Sequence, residues 1–210
     1  MVVLSSIVAA VGLLRGNVAV VVGAMVLAPL LGPNVALALA TTLADTALAR
    51  TALRANAAGL AVALVVALAL GAAVPVDPAA VEIVSRTRAT SSDVILALAA
   101  GSAGALAFTS GLPAMLIGVM VAVALRPPLV TFGLLTGSGH LTEALGALLL
   151  LLSNIICVNL AGVVTFLIRG IRPRAWWDAA RAKKATRVAM ALWPGLLAAL
   201  VALIHLARRG

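Results

Sequence analysis

The sequence predicts an all-α, polytopic membrane protein of about seven transmembrane segments. Three observations predict it. Of 210 residues, 64% are hydrophobic and only 10% are charged, whereas a soluble domain carries roughly a quarter charged residues. The apolar residues gather into seven stretches, about 2–14, 18–44, 57–76, 94–109, 112–137, 145–168 and 188–206. Two of these stretches are interrupted by proline and glycine at corresponding places, which divides the chain into related halves.

Taken in order, the stretches differ in length. About 20 apolar residues span a bilayer, and the third, sixth and seventh stretches satisfy that plainly. The second and fifth are long enough but are interrupted. The first and fourth are short, and tight turns follow them at Arg15-Gly16-Asn17 and Thr109-Ser110-Gly111. Each short stretch with its successor reads as two thin spans; the alternative is a hairpin that enters and leaves on one side. No Lys or Arg precedes the first apolar run, so it is not a secretory signal, which needs a basic leading region. A start upstream of Met1 stays open.

The interruptions organise the rest. Gly23-Ala-Met-Val-Leu-Ala-Pro-Leu-Leu-Gly-Pro-Asn34 holds Pro29, Gly32 and Pro33, and Gly118-Val-Met-Val-Ala-Val-Ala-Leu-Arg-Pro-Pro-Leu129 holds Pro127 and Pro128. Proline lacks a backbone donor and clashes with the preceding turn, so each stretch is expected to be a discontinuous helix. A shift of 95 residues aligns Gly16/Gly111, Gly23/Gly118, Met25/Met120 and Pro33/Pro128 within 8 identities over 25 positions from Ala9. Asn56/Asn154 and Pro75/Pro173 match at a shift of 98. One transmembrane domain over 1–210 then contains half one at 1–76, half two at 94–173 and an extra helix at 188–206. Three spans separate corresponding points, and an odd number reverses direction, so the expected symmetry is a three-plus-three inverted repeat.

Basic residues set the expected orientation. The second, fourth and sixth loops hold nine Lys and Arg residues, against five in the other loops and the C-terminus. By the positive-inside rule the N-terminus is cytoplasmic and the protein lies in the plasma (inner) membrane. Seven of the fifteen basic residues fall between Arg169 and Arg187, so the net charge of +9 reads as a cytoplasmic loop and not as a nucleic-acid surface. Trp176 and Trp177 in that loop read as an interfacial anchor.

No phosphate loop, metal-ligand cluster or nucleophile elbow is present. His140, His205, Asp45 and Glu143 lie at segment ends. No enzyme, cofactor or metal is therefore expected. The interruptions are the candidate site, because freed backbone groups persist in a membrane only where protein buries them or where they line a wet cavity. Paired interruptions in two halves are the sequence pointer to a transport site. The candidate substrate-binding residues are Pro29, Gly32, Pro33, Asn34, Arg126, Pro127, Pro128 and Asn154. Arg126 lies near the middle of the fifth stretch, where an arginine costs roughly 2.5–3.5 kcal/mol on insertion scales. It reads as a cationic ligand for an anionic substrate, or as a structural donor to freed carbonyls. Asn159 reads as a tie between helices, and Ser5, Ser6, Gly101, Ser102 and Gly104 as small residues that allow close approach. Cys157 is the single cysteine, which excludes an internal disulfide.

Several blocks resemble a known family. Ser5-Ser-Ile-Val-Ala-Ala-Val-Gly-Leu-Leu14 and Val22-Gly-Ala-Met-Val-Leu-Ala-Pro-Leu-Leu-Gly-Pro33 are similar to the hallmark of the hydrophobic domain-of-unknown-function 389 family. Arg86-Thr87, Asp93 to Ala107, Val121-Ala-Val-Ala-Leu125, Pro127-Pro-Leu129 and Ser153-Asn-Ile-Ile156 through Arg172-Pro173 fit its later blocks. The resemblance implies a bacterial or archaeal polytopic membrane protein, often carrying a soluble domain as well. It names no activity. The family pattern has an apolar residue where this chain has Arg126, so a role for Arg126 would belong to this member.

The functional expectation is a transporter or facilitator of a small polar, anionic solute bound between the interruptions. Its partners are the lipid bilayer, that solute and further copies of itself in a homo-oligomer; nucleic acid is not among them. The alternative is a non-transporting oligomeric scaffold or assembly subunit. An intramembrane enzyme is a third class, for which the sequence supplies no acid–base pair.

Overall fold

Eight helices make up the described part of the computed structural model, which covers 1–27, 31–111, 114–171 and five single positions between 191 and 199. They are α1 (Val2–Leu14), α2 (Val18–Leu27), α3 (Leu31–Leu43), α4 (Thr46–Ala73), α5 (Val81–Val84), α6 (Ser91–Thr109), α7 (Ala114–Gly137) and α8 (Leu141–Ile168). Among the described residues there is no strand. The Trp176-Trp177 anchor and the extra helix at 188–206 lie outside the described residues, apart from those single positions.

Local chemistry sets the helix starts. Asp45 caps α4, accepting from the Leu48 amide at 2.9 Å. Thr90 and Asp93 form a capping box on α6, with the Thr90 amide donating to Asp93 Oδ2 at 2.8 Å. Both devices satisfy amides that have no partner inside the helix. Pro33 sits in the first turn of α3, where its missing N–H would have been unpaired anyway. Gly16 (φ 62°) and Gly111 (φ 71°) end α1 and α6 in the left-handed region. These two glycines are the pair aligned by the 95-residue shift, and they close the same kind of turn.

Among the described residues three helices, α4, α6 and α8, are long and apolar enough to cross a membrane. The α2–α3 pair, bent by 60°, makes a fourth if counted as one broken span. Of the seven expected spans, length and composition support three or four among the described residues. Helix α1, of 13 residues, is a shorter apolar helix.

Contacts fix the helix directions. Gly101 backs onto Val158, and the Phe108 and Phe166 rings meet edge to face at 6.0 Å, so α6 and α8 run parallel. Gly133 meets Ala67 and Gly137 meets Ala72, so α4 and α7 run parallel. Asn34 meets Asn159 and Ala38 meets Gly162, so α3 runs with α8. The turns at Arg15, at 74–90 and at 138–140 gather at one end of the bundle, where Leu13, Val76, Ile83, Leu135 and Ala144 share one core cluster. The turns at 44–45 and 110–111 and the Arg169 cap lie at the other.

Helix α8 is the central post. Of its most apolar stretch 67% is buried, against 22% for α4 and 28% for α6. The outer helices turn Leu53, Val62, Val65, Ile95, Leu96 and Leu106 outward. Outward apolar side chains on helices of this length suit a membrane, since a surface in lipid needs no polar cover.

One expected break is absent. Helix α7 continues through Pro127 and Pro128. The reason lies on α8. Pro128 cannot donate to the Ala124 carbonyl, four residues back, and Asn154 Nδ2 supplies the missing hydrogen bond at 2.6 Å. With that acceptor satisfied, the helix keeps its course despite two adjacent prolines. The first interruption differs: α2 ends at Leu27, α3 begins at Leu31, and their axes diverge.

Candidate functional site

Polar residues in a bundle this apolar are few, and they form a belt across its middle. Arg126 is the thirteenth of 24 residues in α7. Asn154 is the fourteenth of 28 in α8. Arg126 is 1% exposed, and Asn34, Asn56, Asn154 and Asn159 are at most 6% exposed.

The Arg126 guanidinium crosses from α7 to the first turns of α1. Its Nη2 donates to the Val2 carbonyl at 3.2 Å and to Ser6 Oγ at 3.4 Å. Ser6 Oγ in turn donates to the Val2 carbonyl at 2.9 Å. Val2 and Ser6 therefore lie at the height of mid-α7, and α1 runs outward from them to the Arg15 turn. Ser5 Oγ donates to the Ala24 carbonyl near the end of α2, which pins the open end of the α1–α2 hairpin at that height. Ser5 and Ser6 were expected to permit close approach; they also carry hydrogen bonds.

The second part of the belt is made of amides. Asn34 on α3 and Asn56 on α4 form a reciprocal pair, with Nδ2 to Oδ1 distances of 3.2 and 3.3 Å. Asn159 on α8 donates from Nδ2 to Asn34 Oδ1 at 3.5 Å and to the Ile155 carbonyl at 2.9 Å. Three helices are thus tied at one level, as interhelical amide bonds do at about 0.6–2 kcal/mol each. Asn154 sits five positions before Asn159 and serves the α7 carbonyl instead.

The expected residues are only partly brought together. Asn34 is in the belt and touches Asn56 and Asn159. Arg126 and Asn154 are in the belt and serve α1 and α7. Gly32 and Pro33 start α3; no atom lies within 4 Å of where a Gly32 β-carbon would stand. Pro127 and Pro128 lie inside α7 as a helical pair and not as an opening. Pro29 lies outside the described residues. Asn56 and Asn159 belong to the belt although they were not among the candidates. The signal for Asn159 was an amide in an apolar run, and for Asn56 its match to Asn154 at a shift of 98. Thr131, fully buried on α7, was also missed.

The belt offers positive potential and buried acceptors together. Arg126 supplies a full charge, and the N-terminus of α3 supplies partial positive charge nearby along the bundle. Asn154 Oδ1, Asn159 Oδ1 and Thr131 Oγ1 are buried and form no hydrogen bond among the described residues. Among those residues no group of His, Cys, Asp and Glu could hold a metal ion.

No solved structure matches this chain. An uncharacterised protein of Methanocaldococcus jannaschii is 40% identical over 204 residues, covering 97% of this chain. The chain spans 64% of the length of that relative. The family described as Domain of unknown function (DUF389) matches residues 25–160, a stretch that holds α3 to α7, the interruption and most of the belt. Match and relative agree with the resemblance in the sequence blocks, and the chain belongs to the DUF389 family.

Proposed function

We propose that the protein is a transporter or facilitator of a small polar, anionic solute in the plasma membrane. The carrying observation is the buried Arg126 near the height where α3 presents its N-terminus. Two sources of positive potential lie in a low-dielectric layer, where they act more strongly than in water. A negative group is what such a layer would stabilise. The end carrying Arg50, Arg54 and Arg169 is the cytoplasmic one in this reading.

The architecture in this reading is an inverted repeat of halves 1–76 and 94–173. Three features support it. Helices α4 and α8, the third members of each half, run in opposite directions. Gly16 and Gly111 close matching turns. Asn56 and Asn154 each reach the second segment of their own half.

Uptake into proteoliposomes across a panel of small anions and neutral solutes tests the function. Arg126→Gln should weaken affinity roughly ten- to hundredfold, since charge-assisted bonds contribute about 1.5–3 kcal/mol. Arg126→Lys should recover part of it, because lysine keeps the charge and loses the planar fork. Unchanged uptake with a destabilised Arg126→Gln protein would make Arg126 structural and remove the anionic preference. Absence of any uptake above empty liposomes would sink the transport reading.

A non-transporting scaffold is the second reading. Gly71 against the Leu134 backbone and Gly101 against Val158 show backbones in direct contact, which favours a rigid centre. Cross-linking of copies in membranes, with no uptake in the panel, would support it.

A further inference from the structure

A second polar place lies away from the belt, at the end of the bundle where α4 stops and α6 and α8 begin. Pro78, Val84, Thr87, Arg88, Thr142 and Glu143 line a cavity there of about 380 Å³. That volume falls within the roughly 300–1,000 Å³ of small-molecule sites. Local chemistry builds it. Asp77 Oδ1 accepts from the Ala79 amide at 2.9 Å, which sets the turn at Pro78. Thr87 Oγ1 donates to the Val84 carbonyl at 3.0 Å. The Thr87 carbonyl rests directly on Gly146 of α8, where a β-carbon would leave it no room. Glu143 precedes Gly146 by three residues and so shares that face of α8. Arg88 follows Thr87. The close approach at Gly146 therefore brings a cation and a carboxylate to one cavity.

The two charges share the cavity without pairing. Among the described residues neither Arg88 nor Glu143 has an ion pair or a hydrogen bond. Thr142 adds a hydroxyl that is likewise without a hydrogen bond among those residues. A ligand of one charge would suit one of the two groups and be repelled by the other. A ligand with a negative and a positive end would suit both. The surroundings indicate its remaining chemistry. Helix ends are where the chain leaves the hydrocarbon core and meets the headgroup layer. Leu141 and Leu145, on either side of Thr142 and Glu143, are 61% and 59% exposed, and Val81 on α5 is 82% exposed. Apolar side chains left bare beside a charged cavity suit a ligand with a polar head and apolar tails.

We propose that this cavity holds the headgroup of a phospholipid that carries both a phosphate and a primary ammonium, of the phosphatidylethanolamine kind. Arg88 and Thr142 take the phosphate, and Glu143 takes the ammonium. A choline head presents methyl groups where Glu143 needs N–H donors, and a glycerol head brings no cation. Glu143 is exposed, so the ammonium contact lies at the weak end of charge-assisted bonds and corresponds to roughly a tenfold preference. The site is separate from the belt and does not depend on transport; a scaffold could carry it equally.

The test is thermal stability of the purified, delipidated full chain in detergent micelles at neutral pH. The micelles are titrated with dioleoyl phosphatidylethanolamine, phosphatidylcholine or phosphatidylglycerol, and separately with water-soluble glycerophosphoethanolamine. Phosphatidylethanolamine should raise the melting temperature at roughly tenfold lower mole fraction than the other two lipids. The soluble headgroup should act only at far higher concentration, because it lacks the chains. Glu143→Gln should erase the preference for ethanolamine over choline, and Arg88→Gln should weaken the response to all three lipids. Both side chains are exposed, so both variants should fold, and each is read against its own lipid-free melting temperature. Equal responses to the three lipids, an ethanolamine preference that survives Glu143→Gln, or no response to any lipid would each overturn the proposal. A soluble headgroup as effective as the lipid would overturn it too, leaving a site for a free zwitterion.

Discussion

The Asn154–Pro128 relation can be measured as a coupling energy. Pro128 leaves the Ala124 carbonyl without its helical donor, and Asn154 Nδ2 replaces that donor at 2.6 Å. In the parent protein, Asn154→Leu strands a buried carbonyl, at a cost of about 1–3 kcal/mol. The change also removes the unsatisfied Asn154 Oδ1, which offsets part of the loss. With Pro128→Ala in place, the new Ala N–H reaches the Ala124 carbonyl within the helix, and Asn154 becomes dispensable. Asn154→Leu should then be near neutral or stabilising. The two changes should couple by about 1–2 kcal/mol, at the upper end of side-chain hydrogen bonds between membrane helices. Equilibrium unfolding of the parent, both single variants and the double variant in mixed micelles, followed by circular dichroism, gives the cycle. Additivity within about 0.5 kcal/mol, the level found for independent sites, would refute the reasoning. Helix α7 would then have to tolerate its prolines by another means.

Three further outcomes are expected. Gly101→Leu should destabilise by 3 kcal/mol or more, roughly the upper range for overpacking, because a β-carbon there would stand 2.8 Å from the Val158 α-carbon; a monodisperse protein with unchanged melting temperature would contradict the packing. Asn34→Leu should cost about 1–3 kcal/mol by stranding the Asn56 amide, and Asn34→Leu with Asn56→Leu should restore part of it; a double variant less stable than Asn34→Leu would show that the pair is not the unit. In a Cys157→Ala background, Arg15→Cys and Arg86→Cys should react with an impermeant thiol reagent from one side of the membrane and Arg50→Cys from the other. Labelling of all three from one side would overturn the grouping of turns into two ends.

The helices were legible in the sequence because composition and length in a membrane leave few choices. Every long apolar stretch within the described residues became a helix. Starts were less legible: α4 begins at Thr46, eleven residues before the apolar stretch at 57, because Asp45 caps it and Arg50 and Arg54 face outward. The interruption at Pro29 to Pro33 was readable from proline and glycine alone, whereas the continuity of α7 was not. It depends on an amide 30 residues away in sequence, and local rules for proline do not contain that partner. Arg126, Asn34 and Asn154 were found because polar groups in apolar runs are rare enough to stand out. Their grouping was not readable. Asn159 joins Asn34 and Asn56 through a contact spanning 125 residues, and period or spacing gives no sign of it.

The central place of α8 bears on how the chain is made. Synthesis delivers α3 and α4 before α7 and α8, and the Asn34–Asn56 pair lets that hairpin satisfy its amides as soon as both helices are in the bilayer. Helix α7 has no such provision, because the donor for its Ala124 carbonyl arrives only with Asn154. The turn at 138–140 is short, so α7 and α8 can leave the insertion machinery as one hairpin with that bond already formed. A chain truncated after Gly137 would hold α7 in the membrane with its proline-exposed carbonyl bare, whereas one truncated after Ile168 would not. Pulling force on the nascent chain, read by an arrest peptide placed at successive lengths, should therefore peak as α8 enters and not as α7 does.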